Sequence, residues 1–519
     1  MPATGRLVRA LLLRASCVAL TAMLQASLLL GQSAQADERP NIVWIVVEDM
    51  SADFGCYGAT AIQTPNVDGL ARDGLRFTRA FVTAPICSIS RSALITGCYQ
   101  TSLGCQNHRS GTSRFPLHLP EGVAVIPQRM RAAGYHASNL TLDDFLKDKG
   151  PVRIAKTDYN FVWDASQTYE TTHWQERPAG QPFFVQVQLQ GGKRRGEAPG
   201  VEWPRVVTET LGSTTPPDSF QLPPYLPDDP VIRADWAQYL DSVRYVDWEV
   251  GRIVERLKAA GEWERTVVFL WTDHGISHVR NKQFLYDGGI HIPLVIRGPG
   301  FGGSALSSAA TRDDLVEHID IGATTLELAG IPRPAFMQGR SLLDRTPTPR
   351  EFVFAARDRA DETVDRIRSV RSLRYKYIRN YYPTRPYLQP NRYKDDKAIV
   401  IAMRRLYAEG KLDAAQSAIM AQQRPREELY DLEADPFELR NIADEPVHAA
   451  EKDRHRRALA EWIERTGDRG RWPEEEAVYR DYTITERSEG KGGDLGQRYR
   501  DTVETMIRWT TERPMDQDP

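Results

Sequence analysis

"NIVWIVVEDM", residues 41–50, is an apolar run that stops abruptly in two acids. An uninterrupted run rich in β-branched residues predicts a strand buried on both faces, as in a parallel sheet, over Ile42–Val47. Far along the chain, "TVVFLWTDHG", residues 266–275, repeats the form and ends in Asp273 and His274. Between and after these runs, helical and strand patterns alternate. "TPNVDGLARDGLRFTRAF" (64–81) reads as a helix and a short strand, and "VIPQRMRAAGYHASNL" (125–140) as an amphipathic helix stopped by Gly134, then a strand. "QPFFVQVQLQ" (181–190) is another strand, "YLDSVRYVDWEVGRIVERLKAAG" (239–261) a long helix closed by Gly261, and "IPLVIRGPG" (292–300) a strand cut off by turn residues. This alternation predicts an α/β fold with a mainly parallel central sheet flanked by helices. Ligands of such sheets sit beyond the C-terminal ends of the strands. Glu48, Asp49, Asp273 and His274 all fall at such ends, the pattern expected of a metal site.

The 519 residues suffice for one large domain and a smaller one, and a formal net charge of -3 argues against a generic nucleic-acid binder. Arg6, Arg9 and Arg14, the apolar run 15–30 and Ala34-Gln35-Ala36 make up a cleavable signal peptide over residues 1–36. The mature chain is thus expected to be secreted or periplasmic, with no membrane attachment after cleavage. A catalytic α/β domain is expected over 37–343. After "TPTPRE" (346–351) the texture changes to Arg, Glu and Tyr, with a strand-like "SLRYKYIRNY" (372–381). Residues 344–519 are expected to form a smaller α+β subdomain with an antiparallel sheet, its polar tail beyond Arg471 loosely attached.

Export makes disulfides possible, yet Cys56, Cys87, Cys98 and Cys105 form no C-x-x-C pair. Cys87 opens "CSISRSALITG" (87–97), a loop entering a helix, with Arg91 four residues on. Taken singly, Cys87 is a buried thiol, Glu48-Asp49 a solvated strand end and Asp273-His274-Gly275 a turn.

Together, and in this order, the segments resemble the type I sulfatases of the alkaline-phosphatase-like superfamily, whose signature contains a Cys oxidised to formylglycine (3-oxoalanine). "YDGGIHIPLVIRGPG" (286–300) and "EELYDLEADPFELRNIA" (427–443) are similar to later segments of that family, so the resemblance runs from Arg39 to about Ala443. "AKTDYNF" (155–161), "THW" (172–174), "RDRADETVDRIRSVR" (357–371) and "YKYIRNYYPTRPY" (375–387) look like secreted bacterial sulfatases related to heparan N-sulfatase.

The resemblance implies hydrolysis of sulfate esters, or N-sulfate, on a sulfated carbohydrate. Cys87 would be converted by a formylglycine-generating maturation enzyme. One hydroxyl of the hydrated aldehyde attacks sulfur, and deprotonation of the other expels sulfate. It further implies one divalent cation, calcium, on Glu48, Asp49, Asp273, His274 and residue 87, polarising the sulfate. Arg91 would stabilise the formylglycine. Lys282 and Lys156 fall where the family places active-site lysines. His108 and His173 are candidate proton shuttles, each equally readable as a structural histidine.

The chain departs from the family pattern at four places. Ile89 stands where the signature has Pro or Ala, and Glu48 where the first metal strand has Asp. "SNLTLDDFLKDKG" (138–150) replaces a Gly-Lys-Trp-His block, leaving Lys156 as substitute. The strand "PFFVQVQLQ" leads to "GGKRRG" (191–196) instead of a histidine, so Lys193 is the expected substrate-binding stand-in. Two other readings stay open: a phosphate or phosphonate ester hydrolase of the same superfamily, and a degenerate fold that binds sulfated glycans without turnover.

Overall fold

The computed structural model describes residues 39–109, 111, 114–195, 202–301, 310–343, 348–485 and 494–510. The expected signal peptide lies outside them. Among the described residues, no helix is long and apolar enough to cross a membrane.

The large sheet contains β1 (Asn41–Val47), β2 (Leu75–Phe81), β3 (His136–Thr141), β4 (Phe183–Leu189), β5 (Thr266–Thr272), β6 (His291–Arg297), β7 (Ala310–Arg312) and β8 (Val316–Glu317). Their order is β3-β4-β1-β5-β6-β2-β7, with β8 also on β2. The chain thus builds the mainly parallel sheet that the alternation predicts. The exception is β6, which runs antiparallel to both β5 and β2.

The two acid-ended runs are neighbours. β1 lies between β4 and β5, parallel to both, and Val47 pairs with Leu189 on one side and Thr272 on the other. The residues after these three positions therefore leave the sheet at one level. All seven residues of β1 and all seven of β5 are buried, as their unbroken apolarity requires. Trp44 meets Trp271 and Phe184 edge to face at 5.1 and 4.9 Å between ring centroids. Its indole N–H donates to Thr325 Oγ1 at 3.0 Å, so the buried polar atom is satisfied.

Helix α1 (Pro65–Asp73) precedes β2, and α2 (Cys87–Thr96) follows it. All ten residues of α2 are buried. The long α3 (Pro230–Ala259) begins nine residues before the stretch that announced it, with Asp229 capping the Val231 N–H and Pro230 in its first turn.

A second, antiparallel sheet follows: β9 (Val353–Arg357), β10 (Ile367–Arg371), β11 (Tyr375–Asn380) and β12 (Glu427–Asp431), in the order β12-β11-β10-β9. Helix α4 (Ala449–Thr466) covers it, with Trp462 stacked on Phe354 at 5.3 Å. The core does not stop between the sheets. Val353, Ile367, Ile378 and Ile399 belong to the same apolar cluster as β1 and β5.

The expectation of a loose tail is corrected. Tyr479, Tyr482 and Met506 are fully buried. Tyr479, Val503, Met506 and Ile507 form their own apolar cluster, and Glu474 pairs with buried Arg359. The apolar residues sit singly among charges, so the anchoring does not show as an apolar run.

Candidate active site

Cys87 is the first residue of α2, at the end where unpaired backbone N–H groups favour negative charge. The serines beside it hold neighbouring chain. Ser88 Oγ accepts from the Arg109 N–H at 3.3 Å, and Ser92 Oγ from the Asn160 N–H at 2.8 Å. Ile89 packs with Ala84, Ile86 and Ala360. Arg91, one helical turn on, shares the face of Cys87. Its Nε donates to Asp273 Oδ2 at 3.1 Å and its NH1 to Gln188 Oε1 at 2.7 Å, while NH2 lies 3.3 Å from Glu48 Oε1.

The strand ends converge on this helix. Asp49 has φ 51°, a left-handed backbone that aspartate tolerates better than most residues. Its N–H donates to Asp273 Oδ1 at 3.1 Å, tying β1 to β5 beyond their last pair. His274 Nε2 lies 3.2 Å from Asp49 Oδ1, 3.5 Å from Asp273 Oδ1 and 3.2 Å from Cys87 Sγ. Its Nδ1 faces the Gly275 carbonyl at 2.8 Å, which can only accept. Nδ1 therefore carries a proton; burial lowers the His274 pKa, but Asp273 and Cys87 outweigh it and raise it, and loss of the Nε2 proton to a bound cation would direct a lone pair into the cluster. Asp49, Cys87 and His274 each offer a ligand atom within 4.8 Å of the others.

Glu48 goes elsewhere. Its Oε2 pairs with Lys156 Nζ at 2.8 Å and with Lys193 Nζ. Of the predicted metal residues, Asp49, Cys87, Asp273 and His274 are thus brought together. Glu48 stands on the far side of the Arg91 guanidinium, facing the lysines.

Three lysines reach the site from different loops. Lys282 Nζ lies 3.0 and 3.1 Å from the two Asp49 carboxylate oxygens and 3.2 Å from Cys87 Sγ. Lys193 arrives on the turn Gly191–Arg194, which lies against the backbone of Glu48 and Asp49. A Cβ on Gly191 would come 2.1 Å from the Glu48 carbonyl oxygen, and one on Gly192 equally close to that of Asp49. Only paired glycines permit this approach. Lys156 precedes Asp158, whose carboxyl is held low against burial by Arg109 and Lys156.

The histidines divide. His108 is buried, with Nδ1 3.1 Å from Asp361 Oδ1, and burial lowers its pKa. It precedes Arg109, the residue bound to Ser88. His173 is not brought to the cluster. It caps the turn Trp174–Glu176, accepting from the Gln175 N–H at 3.3 Å, with its ring against Trp174. These contacts fit the structural alternative given beside its reading as a proton shuttle.

Tyr393 was not legible in the sequence. It lies past the second sheet's third strand, in a short turn, yet its hydroxyl donates to Asp49 Oδ2 at 2.8 Å. Gln188 escaped notice because alternating Gln in a strand reads as a solvated face; it bridges Arg91 and Asn139.

Burial pushes the Cys87 thiol up, but Lys193, Lys282, Lys156 and His274 outweigh it and hold the pKa at about 7. Burial also raises Asp49 and Asp273. Lys282 and Lys193 hold Asp49 well below the carboxylate range, and His274 and Arg91 hold Asp273 below it. Two ionised carboxylates and an imidazole that can give up its Nε2 proton, around one point, fit a divalent cation, and hard oxygens suit calcium. Around them, Arg91 and the three lysines supply the charge to bind a tetrahedral anion.

Cys56, Cys87, Cys98 and Cys105 are all free thiols.

The family comparison agrees with this geometry. The sulfatase family model matches residues 40–331, and that of the N-sulphoglucosamine sulphohydrolase C-terminal region matches 274–422. An ulvan-active sulfatase of Formosa agariphila is 30% identical over 476 residues, covering 85% of this chain and 77% of that protein. Human N-sulphoglucosamine sulphohydrolase is 24% identical, covering 82% of this chain and 90% of its own. Among solved structures, a 2-O GAG sulfatase superposes with a TM-score of 0.56 at 20% identity, covering 83% of this chain and 93% of its own. The phosphonate monoester hydrolase of Agrobacterium radiobacter does so with 0.53 at 19% identity, covering 82% and 96%. The last two show a shared fold alone. Match, identity and site together place the chain in the sulfatase family, as a hydrolase of sulfate esters.

Proposed function

We propose that this protein, after export, removes sulfate from a sulfated carbohydrate, with residue 87 as the nucleophile and a calcium ion beside it. One observation carries the reading. Cys87 stands at a helix N-terminus with acids from two adjacent strands on one side and cations from three loops on the other. Related sulfatases act on ulvan and on N-sulphoglucosamine, which supports a carbohydrate substrate.

Converted to formylglycine and hydrated, residue 87 supplies one hydroxyl to displace the alcohol from sulfur and a second whose deprotonation expels sulfate. Asp49, Asp273 and His274 would hold the cation, which supplies Lewis-acid polarisation of the sulfate oxygens. Glu48 pairs with Lys156 and Lys193 and aims both at the site. Lys282 stabilises negative charge at residue 87 and on the sulfate. Arg91 fixes Asp273 and the first turn of α2. His108, oriented by Asp361, is the remaining candidate for proton transfer.

The test uses protein purified from its native host, so that the maturation machinery is present. Mass spectrometry of the peptide containing Cys87 should find the aldehyde, and sulfate should be released from sulfated glycans faster than phosphate from matched phosphate esters. Full sulfatase activity with an intact thiol would defeat the mechanism. An intact thiol with no turnover would favour the binding-protein reading, and preference for the phosphate esters would favour the phosphoesterase.

A further inference from the structure

A cleft of about 710 Å³ opens from the lysine side of the site. Its inner end is Glu48 and Gln188, which contact Arg91, and Lys156 and Lys193, whose charges act on Cys87. Its outer wall is one face of α3: Tyr245, Trp248, Glu249 and Arg252 at helical spacing, with Arg194 packed against it. The volume lies in the range, roughly 300–1,000 Å³, of pockets that enclose a whole small ligand. A sulfate group alone would leave most of it empty.

The outer wall has its own chemistry. The Arg252 guanidinium lies over the Trp248 ring at 5.4 Å, and its side chain is 45% exposed. Its one ion pair, to Glu255, is long at 3.9 Å, so it is open to another anion. Arg194 lies over the Tyr245 ring at 4.4 Å and pairs with Glu249 Oε1 at 2.5 Å. The Glu249 side chain is 1% exposed, and its second oxygen, Oε2, has no hydrogen-bond partner. A buried acceptor without a donor costs free energy unless a ligand supplies one. Four cationic side chains line the cleft against three acidic ones, and burial raises Glu249 to about 7 despite Arg194, so the balance is positive.

The geometry points to a binding subsite for a second, anionic sugar, the unit next to the one that carries the scissile sulfate. A carboxylate or sulfate on that sugar pairs with Arg252 and Arg194. Its ring lies along the Trp248 and Tyr245 wall, and a hydroxyl donates to Glu249 Oε2. The protein then selects acidic oligosaccharides over isolated sulfated sugars. This rests on the sulfated-carbohydrate reading above, because the inner end of the cleft is taken as the sulfate site.

Two measurements on native-host protein keep the two ideas apart. Sulfate release from 4-nitrocatechol sulfate reads the reaction. Calorimetric binding of a fully desulfated and re-N-acetylated heparan tetrasaccharide, whose only charges are uronate carboxylates, reads the cleft without turnover. Arg252→Glu and Trp248→Ala should each weaken tetrasaccharide binding at least about tenfold, and a carboxyl-reduced, neutral tetrasaccharide should bind wild type equally poorly. Arg252 is exposed, so its variant tests the site without threatening the fold. Unchanged affinity in both variants, or neutral and acidic chains binding alike, would overturn the subsite. Failure to release sulfate together with the expected binding losses would sustain the subsite and overturn the reaction.

Discussion

Cys87 and Cys98 stand at opposite ends of one helix, eleven residues apart in sequence, and they are chemically different groups. Cys87 is the first residue of α2; Cys98 follows Gly97, its left-handed C-cap at φ 70°. Burial pushes both thiols up. At Cys98 no charge opposes it, only contacts with Gln338 and Thr96, and the pKa rises to about 11. There the sulfur donates weakly to the carbonyls of Thr96 and Phe336 at 3.6 and 3.4 Å. At Cys87 three lysines and His274 reverse the shift to about 7. The helix adds to the contrast, since its N-terminus favours an anion and its C-terminus opposes one. Cys105, raised to about 12, repeats the inert case. The residue type is constant; the charges that the tertiary fold brings around it are not.

The sharpest way to break this comparison is to delete each sulfur. Cys87→Ala should abolish sulfate release, by more than about 10³-fold in kcat, as expected when a nucleophile is removed. Cys98→Ala should leave kcat intact and cost about 1 kcal/mol of stability in a urea titration. Equal losses of activity would mean that Cys87 acts only through packing.

The cation is the next lever. A chelator should abolish turnover, and added calcium should restore it. Asp273→Asn keeps the shape but halves the local carboxylate charge. It should lower calcium affinity, read by calorimetry, by more than the roughly 10–100-fold that loss of a ligand's hydrogen-bond partner costs. An unchanged affinity would remove Asp273 from the metal site.

Titration sharpens the contrast directly. In chelated protein carrying the unconverted thiol, thiolate absorbance should rise in a step centred near pH 7, because the depressed group ionises as pH passes its pKa. Cys98 and Cys105 should stay protonated until well above this. The step should vanish in Cys87→Ser. A single transition above pH 9 would show that the lysines do not act on Cys87 as described.

The smallest expected effect is at Tyr393, which lies outside the α/β sheet and whose ring, lying under Lys282 at 4.4 Å, stays in place when the hydroxyl is removed. Tyr393→Phe removes its donation to Asp49 Oδ2. A hydrogen bond to a charged group is worth about 1.5 kcal/mol or more, so kcat/KM should fall about tenfold. No change would make the second sheet's contribution to the site purely structural.

The sequence by itself determined the strands that matter and the chemistry at their ends. Unbroken apolar runs at 42–47 and 267–271 have no stable place except a doubly covered sheet, and the acids just beyond them must sit at its edge. The spacing of Cys87 and Arg91 likewise put both on one helical face. Tertiary structure alone decided which acids share a centre. Glu48 and Asp49 are adjacent in the chain, yet one turns to Lys156 and Lys193 and the other to Cys87, His274 and Lys282. It also decided that Tyr393 reaches Asp49, that His173 packs on Trp174, and that the described part of the tail packs through Tyr479 and Met506. These are contacts between residues far apart in the chain. No local periodicity encodes them; they are fixed by packing, and by the need of each buried charge to find a partner.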